Sequence, residues 1–140
     1  GNASSKGGRI MAGLANTMVC GVVRAQDFER AKKFYTEVLG LELAQKLPGG
    51  ALFAAAEKTM VMVYENPALP APENTVLSFG VTAEGFHAVM EDLRRKGVSF
   101  EDYDLPDMGL STEDGVAEVD GRKMAWFKDS EGNILNIVVM

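Results

Sequence analysis

One order of secondary-structure elements, a strand, then a helix, then more strands, is predicted twice along this 140-residue sequence. Each helix is indicated by apolar residues at helical spacing and by a capping residue before it. Shifting the sequence by 58 positions superposes the apolar positions of the two helices, with Phe28 on Phe86. The same shift places Val23 on Val81 at the ends of the preceding strands. This repeat indicates that one βαβββ unit has been duplicated.

The repeat determines the predicted domain organisation. Residues 15–140 are predicted to form one domain, in which 16–65 make the first unit, 66–74 a linker and 75–140 the second unit. The linker carries three prolines in nine residues, which exclude regular structure. Residues 1–14 are rich in Gly, Ser and Ala without periodicity, and we predict a disordered tail there.

The individual elements follow from the pattern of apolar and turn residues. The predicted strands are 16–24, 41–46, 51–56 and 59–65 in the first unit and 76–81, 98–103, 124–127 and 134–139 in the second, with helices from Asp27 to a stop at Gly40 and over 84–96. The stretch Asp104–Arg122 is polar, glycine-rich and too long for an ordinary connection. Such loops often carry function, so we predict a mobile flap beside a binding site.

Composition argues against several classes of function. A formal net charge of −6 without a basic stripe argues against nucleic-acid binding, which requires clustered Lys and Arg. The sequence has no apolar run long enough to span a bilayer and no recognisable signal peptide, so we expect a cytoplasmic protein without membrane contact. The single cysteine has no disulfide partner, and no Cys or His cluster predicts a zinc site.

The last eighteen residues, Lys123–Met140, predict a hairpin. Two runs rich in aromatic and β-branched residues flank Asp129–Asn133, whose Gly and Asn tolerate the positive φ of a tight turn. Asn136 is the one polar residue within the second run. A polar group in such a strand must have hydrogen-bond partners or face a cavity.

Two stretches carry a resemblance to a known family. One runs from Arg24 to Leu43, RAQDFERAKKFYTEVLGLEL, and the other from Phe127 to Leu135, FKDSEGNIL. Within tandem βαβββ units they resemble the glyoxalase, bleomycin-resistance and extradiol dioxygenase family, also called vicinal oxygen chelate proteins, over about residues 17–140. The resemblance implies an α+β fold of two tandem βαβββ units, each a curved four-stranded mixed sheet with one helix. It also implies a cavity enclosed by the sheets. Because many members build this cavity from units of two chains, we predict a homodimer.

Enzymes of this family bind a divalent metal through His, Glu or Gln on the first and last strands of the units. The matching positions in this sequence are Cys20, Met62, Val76 and Asn136. Hard or borderline divalent ions need several oxygen or imidazole donors at one point, which a thiol, a thioether, an isopropyl group and an amide do not supply. We therefore expect no metal and no other cofactor.

Further candidate residues for ligand binding lie on the same strands. Arg24 matches a position at which glutathione-dependent lyases of the family hold a substrate carboxylate, although helix packing or a surface ion pair would explain it equally well. Tyr64 and Trp126 are expected on strands that line the cavity, with core filling as the alternative for Trp126. Cys20 is more simply a small buried hydrophobe than a nucleophile. His87, the only histidine, is expected at the surface, which removes the usual proton shuttle.

These observations favour metal-independent binding of a small organic molecule, aromatic or cationic, as in drug sequestration or ligand sensing. No catalytic residue is predicted. The alternative is an enzyme of the same family, a lactoylglutathione lyase-like lyase, an isomerase or a dioxygenase, with a degenerate metal site. A third possibility is a cavity filled by the protein's own side chains.

Overall fold

The computed structural model describes residues 13–140 and, before them, the backbone of residues 5–6 and 9–10. There Ser5–Lys6 (β1) pairs antiparallel with Arg9–Ile10 (β2). The predicted disordered tail therefore lies mostly outside the described residues. In the part of the chain that the structure describes, no helix combines the length and apolar character needed to cross a bilayer.

The first unit folds into one mixed sheet covered by one helix. Its elements are β3 (Cys20–Ala25), α1 (Phe28–Lys33) with a π-helical continuation over Phe34–Val38, β4 (Glu42–Leu47), β5 (Gly50–Ala54), a 3-10 turn at Ala56–Lys58 and β6 (Met60–Glu65). The strand order is β3-β6-β5-β4, with β3 parallel to β6 and the other pairs antiparallel. The α1 helix starts as predicted, because the Asp27 carboxylate accepts a hydrogen bond from the Arg30 amide.

The second unit repeats this arrangement. Its elements are β7 (Thr75–Val81), α2 (Phe86–Arg95), β8 (Asp104–Leu105), a 3-10 turn at Pro106–Met108, β9 (Leu110–Ser111), β10 (Ala117–Val119), β11 (Arg122–Lys128) and β12 (Ile134–Val139). The order is β7-β12-β11-β10, again with the first and last strands parallel. The predicted α+β fold of two tandem βαβββ units is confirmed.

The second edge strand of this unit differs from its prediction. Residues 98–103 form no continuous strand. Phe100 makes a single bridge to Phe127, and the chain then leaves the sheet. The sheet edge resumes at β10, after an insertion over 102–116 that contains the β8–β9 pair. The stretch 104–122, predicted as one loop, therefore contains three short strands and the start of β11. The mobility predicted for it stays a prediction.

The strands of the two units correspond differently from the predicted shift. Both helices begin at a phenylalanine, Phe28 and Phe86, as predicted. The last parallel pairs, however, are Ala25 with Glu65 and Val81 with Val139. Val81 thus corresponds to Ala25, and the predicted match of Val23 with Val81 is wrong. The cause is a connection of four residues, 82–85, where the first unit has two, 26–27.

One hydrophobic core serves both units. It contains residues from both helices and from one face of each sheet, among them Tyr35, Phe53, Phe86, Met90, Phe127 and Leu135. The units meet edge to edge at β3 and β7, where a Cβ added to Gly21 would lie 2.7 Å from Leu77 Cδ2. Because both helices pack on the core side, the opposite faces of the two sheets lie next to each other without a helix on them.

Candidate functional site

The final turn, Asp129–Asn133, joins the second unit to the first through buried hydrogen bonds. The Tyr35 hydroxyl donates to Asp129 Oδ2 at 2.8 Å. Asn133 Nδ2 donates to the Arg24 carbonyl at 2.9 Å and to Asp129 Oδ2 at 2.8 Å. Tyr35 is fully buried and Asn133 is 1% exposed. Burial and the nearby Asp129 charge strongly raise the pKa of the Tyr35 phenol, so this group stays a protonated donor.

Glu131 is the charged part of this contact. Its carboxylate accepts hydrogen bonds from the Arg30 side chain at 2.8 and 2.9 Å, from the Asp27 amide at 2.8 Å and from the Ser130 hydroxyl at 2.7 Å. Burial by itself would raise the pKa of the carboxyl. The hydrogen bonds outweigh burial and lower the pKa of Glu131 to about 2. The carboxylate is therefore charged at neutral pH and fixes the turn against the start of α1.

The free energy of unfolding should fall in acid because of Glu131. A carboxyl whose pKa is lowered in the folded state stabilises the protein above its unfolded pKa of about 4.5, and this contribution is lost as the pH falls through about 2. Allowing for solvent screening of Arg30, whose side chain is 51% exposed, we expect about 1–2 kcal/mol. Urea unfolding of wild type and Glu131→Gln at pH 7, 4 and 2.5 measures the difference. The difference in free energy of unfolding should shrink towards zero at the lowest pH. A difference that stays constant with pH would contradict the stabilising role of the Glu131 carboxylate.

We define the helix-free face by the residues that point away from the core on the neighbouring strands of both units: Val22, Leu52, Met62, Tyr64, Ser78, Trp126 and Asn136. In the first unit, Val22 pairs with Met62, and Met62 pairs with Leu52. Val22 is 57% exposed, while the other two are half-buried. These side chains form an apolar floor that no helix covers.

The second unit contributes polar and aromatic groups in one row. Trp126 pairs with Asn136, and Asn136 pairs with Ser78. The Ser78 hydroxyl donates to Asn136 Oδ1, and Trp126 Nε1 donates to Thr75 Oγ1 at 3.2 Å. The Asn136 amide nitrogen has no hydrogen-bond partner among the described residues. The structure thus places Trp126 on the face that Asn136 occupies, and Asn136 keeps two donors for a further partner.

The insertion over 102–116 places an aromatic ring against Trp126. Tyr103 packs edge-on to the indole, with ring centroids 5.6 Å apart. Asp102 Oδ1 accepts from the Thr112 hydroxyl at 2.8 Å and from the Gly115 amide at 2.9 Å. The Tyr103 amide donates to Thr112 Oγ1 at 2.7 Å. Closure of the insertion by these bonds fixes Tyr103 beside the indole.

Three predicted residues lie at the edges of this face. Cys20 is exposed because it is the first residue of β3, at the open end of the strand, so the expectation that it is buried is wrong. Val76 lies beside the register shift between β7 and β12 and packs against the core. Arg24 is 7% exposed, and its Nη2 donates to the Glu131 carbonyl at 2.8 Å. Its Nε and Nη1 are buried without a partner among the described residues. Ligand contact by any of the three stays a prediction.

Two residues of the site were missed by sequence reasoning. Ser78 is the single hydroxyl in the apolar strand Thr75–Val81 after its first residue, and the argument that singled out Asn136, a polar group within an apolar strand, applies to it as well. Tyr103 is the second residue of the insertion, and no periodic signal identifies it. Its position depends on the long-range contact with Trp126.

The residues at the family's metal positions do not fit a divalent ion. Among the residues that the structure describes, no three His, Cys, Asp or Glu side chains come together as a metal site would require. The oxygen of Asn136 already accepts from Ser78. Val76, at another of the positions, packs against the core. A hard or borderline cation would find one amide oxygen at this point.

The family model of the Glyoxalase/Bleomycin resistance protein/Dioxygenase superfamily matches residues 13–137. The chain belongs to this family. A comparison with curated protein sequences finds no match.

Solved structures of low sequence identity share the fold of this family member. UcmS2 is 19% identical with a TM-score of 0.67, covering 91% of this chain and all of its own. A lactoylglutathione lyase from Agrobacterium tumefaciens is 16% identical with a TM-score of 0.64, over 91% of this chain and 96% of its own. TnmS3, an antibiotic binding protein from Streptomyces sp. CB03234, is 20% identical with a TM-score of 0.63, over 90% and 97%. At such identities the likeness concerns the fold alone.

Proposed function

We propose that this family member binds a small planar aromatic molecule on the helix-free face, without a metal ion. The observation that carries the proposal is the row of Trp126, Asn136 and Ser78 beside the exposed apolar floor at Val22. Aromatic and apolar walls with a few convergent polar groups are typical of small-molecule sites. Drug sequestration or ligand sensing would use such a site directly.

Each part of the face has a role in this proposal. Trp126 is held by Tyr103 and Thr75 and is 9% exposed, so a flat ligand would contact the part of the indole that these residues leave open. Val22 and Met62 exclude water from the apolar side of the ligand. The Asn136 amide nitrogen donates to a ligand carbonyl while Ser78 fixes the amide orientation. The antibiotic binding protein TnmS3, built on the same fold, supports this class of function.

A lyase is the second candidate, because of Arg24. Two nitrogens of its guanidinium are buried without a partner among the described residues, and a ligand carboxylate would satisfy them. A lactoylglutathione lyase is among the structural neighbours. The donor set at Cys20, Met62, Val76 and Asn136 disfavours this candidate.

The proposal includes a cytoplasmic homodimer. Met18 and Val19 are 59% and 84% exposed beside the start of β3. Apolar side chains in such a position support contact with a partner subunit that would cover the edge of the face.

Trp126, the chain's only tryptophan, allows a direct test. In protein freed of metal by a chelator, we expect planar aromatic compounds of two to four rings to quench the Trp126 fluorescence. The quenching should saturate as the compound concentration rises. Asn136→Ala should weaken binding at least tenfold, because a donor to the ligand is lost. The matched control is Gln26→Ala, an exposed amide between β3 and α1 that should leave binding unchanged. If none of these aromatic compounds gives saturable quenching, or if Asn136→Ala binds them as tightly as wild type does, the proposal fails.

A further inference from the structure

The two units meet at two junctions that differ in how they are filled. At one, the Arg24 side chain extends from the end of β3 to the final turn and donates to the Glu131 carbonyl. At the other, a pocket of about 520 Å³ lies between the start of β3, the end of β7 and the turn 55–59. The group that fills the first junction therefore indicates which ligand would fit the second.

The residues of the two junctions correspond through matching backbone bonds. The Asn66 amide donates to the Ala25 carbonyl at 2.8 Å, and the Met140 amide donates to the Val81 carbonyl at 3.0 Å. A bond of 2.9 Å closes both turns, from the Ala55 amide to the Thr59 carbonyl and from the Asp129 amide to the Asn133 carbonyl. The turn 55–59 is therefore the counterpart of the final turn.

This correspondence places Gly80 at the position of Arg24, one residue before the last pair of its ladder. Glu57 takes the position of Glu131, and Ala55 that of Asp129. Because Gly80 has no side chain, the second junction lacks the guanidinium that fills the first. An arginine at residue 80 would enter this pocket once the Met140 side chain, which lies against the Cβ position, has moved aside.

The chemistry of the pocket walls matches that of the missing group. Among the described lining residues, Leu77, Phe79 and Met60 provide apolar surface. Glu57 is the one charged residue of the described lining, and its carboxylate has no ion-pair partner among the described residues. An apolar pocket with a single carboxylate, on the turn 55–59, suits a cation that is attached to an alkyl chain.

We propose that this pocket binds an alkylguanidinium ion, with the guanidinium on Glu57 and the alkyl chain against Phe79 and Met60. The alkyl chain would occupy the counterpart of the space that the Arg24 side chain fills at the other junction. The anchor would differ, because Arg24 donates to the Glu131 carbonyl whereas the ligand would pair with the Glu57 carboxylate. Ser78 is the one residue of the helix-free face among the described residues that line the pocket. The pocket and the proposed aromatic site therefore share this residue and differ in the others.

Hexylguanidinium is a suitable probe, followed by amide chemical shifts in the 15N-labelled protein. Shifts at Thr59, Phe79 and Gly80 should saturate, whereas hexanol and hexanoate at the same concentrations should bind at least tenfold more weakly. Glu57→Gln should weaken the probe at least tenfold. Glu42→Gln, an exposed carboxylate on β4, is the matched control and should leave its affinity unchanged.

Gly80→Arg provides the opposite test, because it supplies the guanidinium covalently. A Cβ at Gly80 would lie 2.6 Å from Met140 Sδ, the flexible end of a side chain that can move aside. This variant should raise the melting temperature and abolish probe binding. If Gly80→Arg does not fold, Glu57→Gln decides the matter. Hexylguanidinium that fails to saturate these amides, or binds Glu57→Gln as well as wild type, overturns the inference. Trp126 is not among the described residues that line the pocket, so its quenching by aromatic compounds tests the proposed function separately.

Discussion

Asp129→Ala should reduce the free energy of unfolding by about 3–5 kcal/mol. The Asp129 carboxylate is 6% exposed and accepts four hydrogen bonds. They come from the Tyr35 hydroxyl, the Glu131 amide, and the Asn133 amide and side chain. The substitution leaves these buried donors unpartnered, and each has a desolvation cost of its own.

Urea unfolding at pH 7 measures this effect, with two controls. Tyr35→Phe removes one donor and keeps the ring, so it should cost about 1–2 kcal/mol. Asp107→Ala, at an exposed carboxylate in the insertion, should stay within about 0.5 kcal/mol of wild type. A loss below about 1 kcal/mol for Asp129→Ala would show that the final turn does not hold the units together.

Gly50→Ala should destabilise the protein by about 3 kcal/mol, because strands β5 and β6 approach closely at this residue. An added Cβ would clash with the Val63 carbonyl oxygen and lie 3.0 Å from Tyr64 Cα. Both are backbone atoms of β6, so the two strands must separate. The separation would also displace Tyr64, the cross-strand partner of Gly50 on the helix-free face.

Gly21→Ala is the matched control for this prediction. Its Cβ would meet Leu77 Cδ2 at 2.7 Å, and a leucine side chain can change rotamer. We expect a loss of about 1 kcal/mol in thermal or urea unfolding, well below that of Gly50→Ala. Equal losses in the two variants would contradict the account of the β5–β6 contact.

The fold was predictable because local signals agree with each other along most of the chain. The Asp27 cap, the Gly40 stop and the alternating strands point to the same elements that the structure contains. Where local signals were absent, prediction failed. The break in the sheet edge after Phe100 depends on Asp102 bonding Thr112 and Gly115, a contact with no periodic signature.

The site was only partly predictable for a similar reason. Asn136 is visible as a polar residue in an apolar strand, and the register confirms that it pairs with Trp126. The face on which Trp126 lies, and its contact with Tyr103, depend on tertiary packing. The difference between the two junctions depends on the correspondence of Gly80 with Arg24, which the two-residue change before α2 conceals in the sequence.

The central claim is that an organic ligand binds to the helix-free face without a metal ion. The most direct measurement is the dissociation constant of the strongest aromatic binder, by isothermal titration in EDTA and then in Ni²⁺, Zn²⁺, Mn²⁺ or Mg²⁺. The account predicts values that agree within about twofold, corresponding to about 0.4 kcal/mol. An affinity that rises tenfold or more with one ion, and loses this gain in Asn136→Ala, would contradict it.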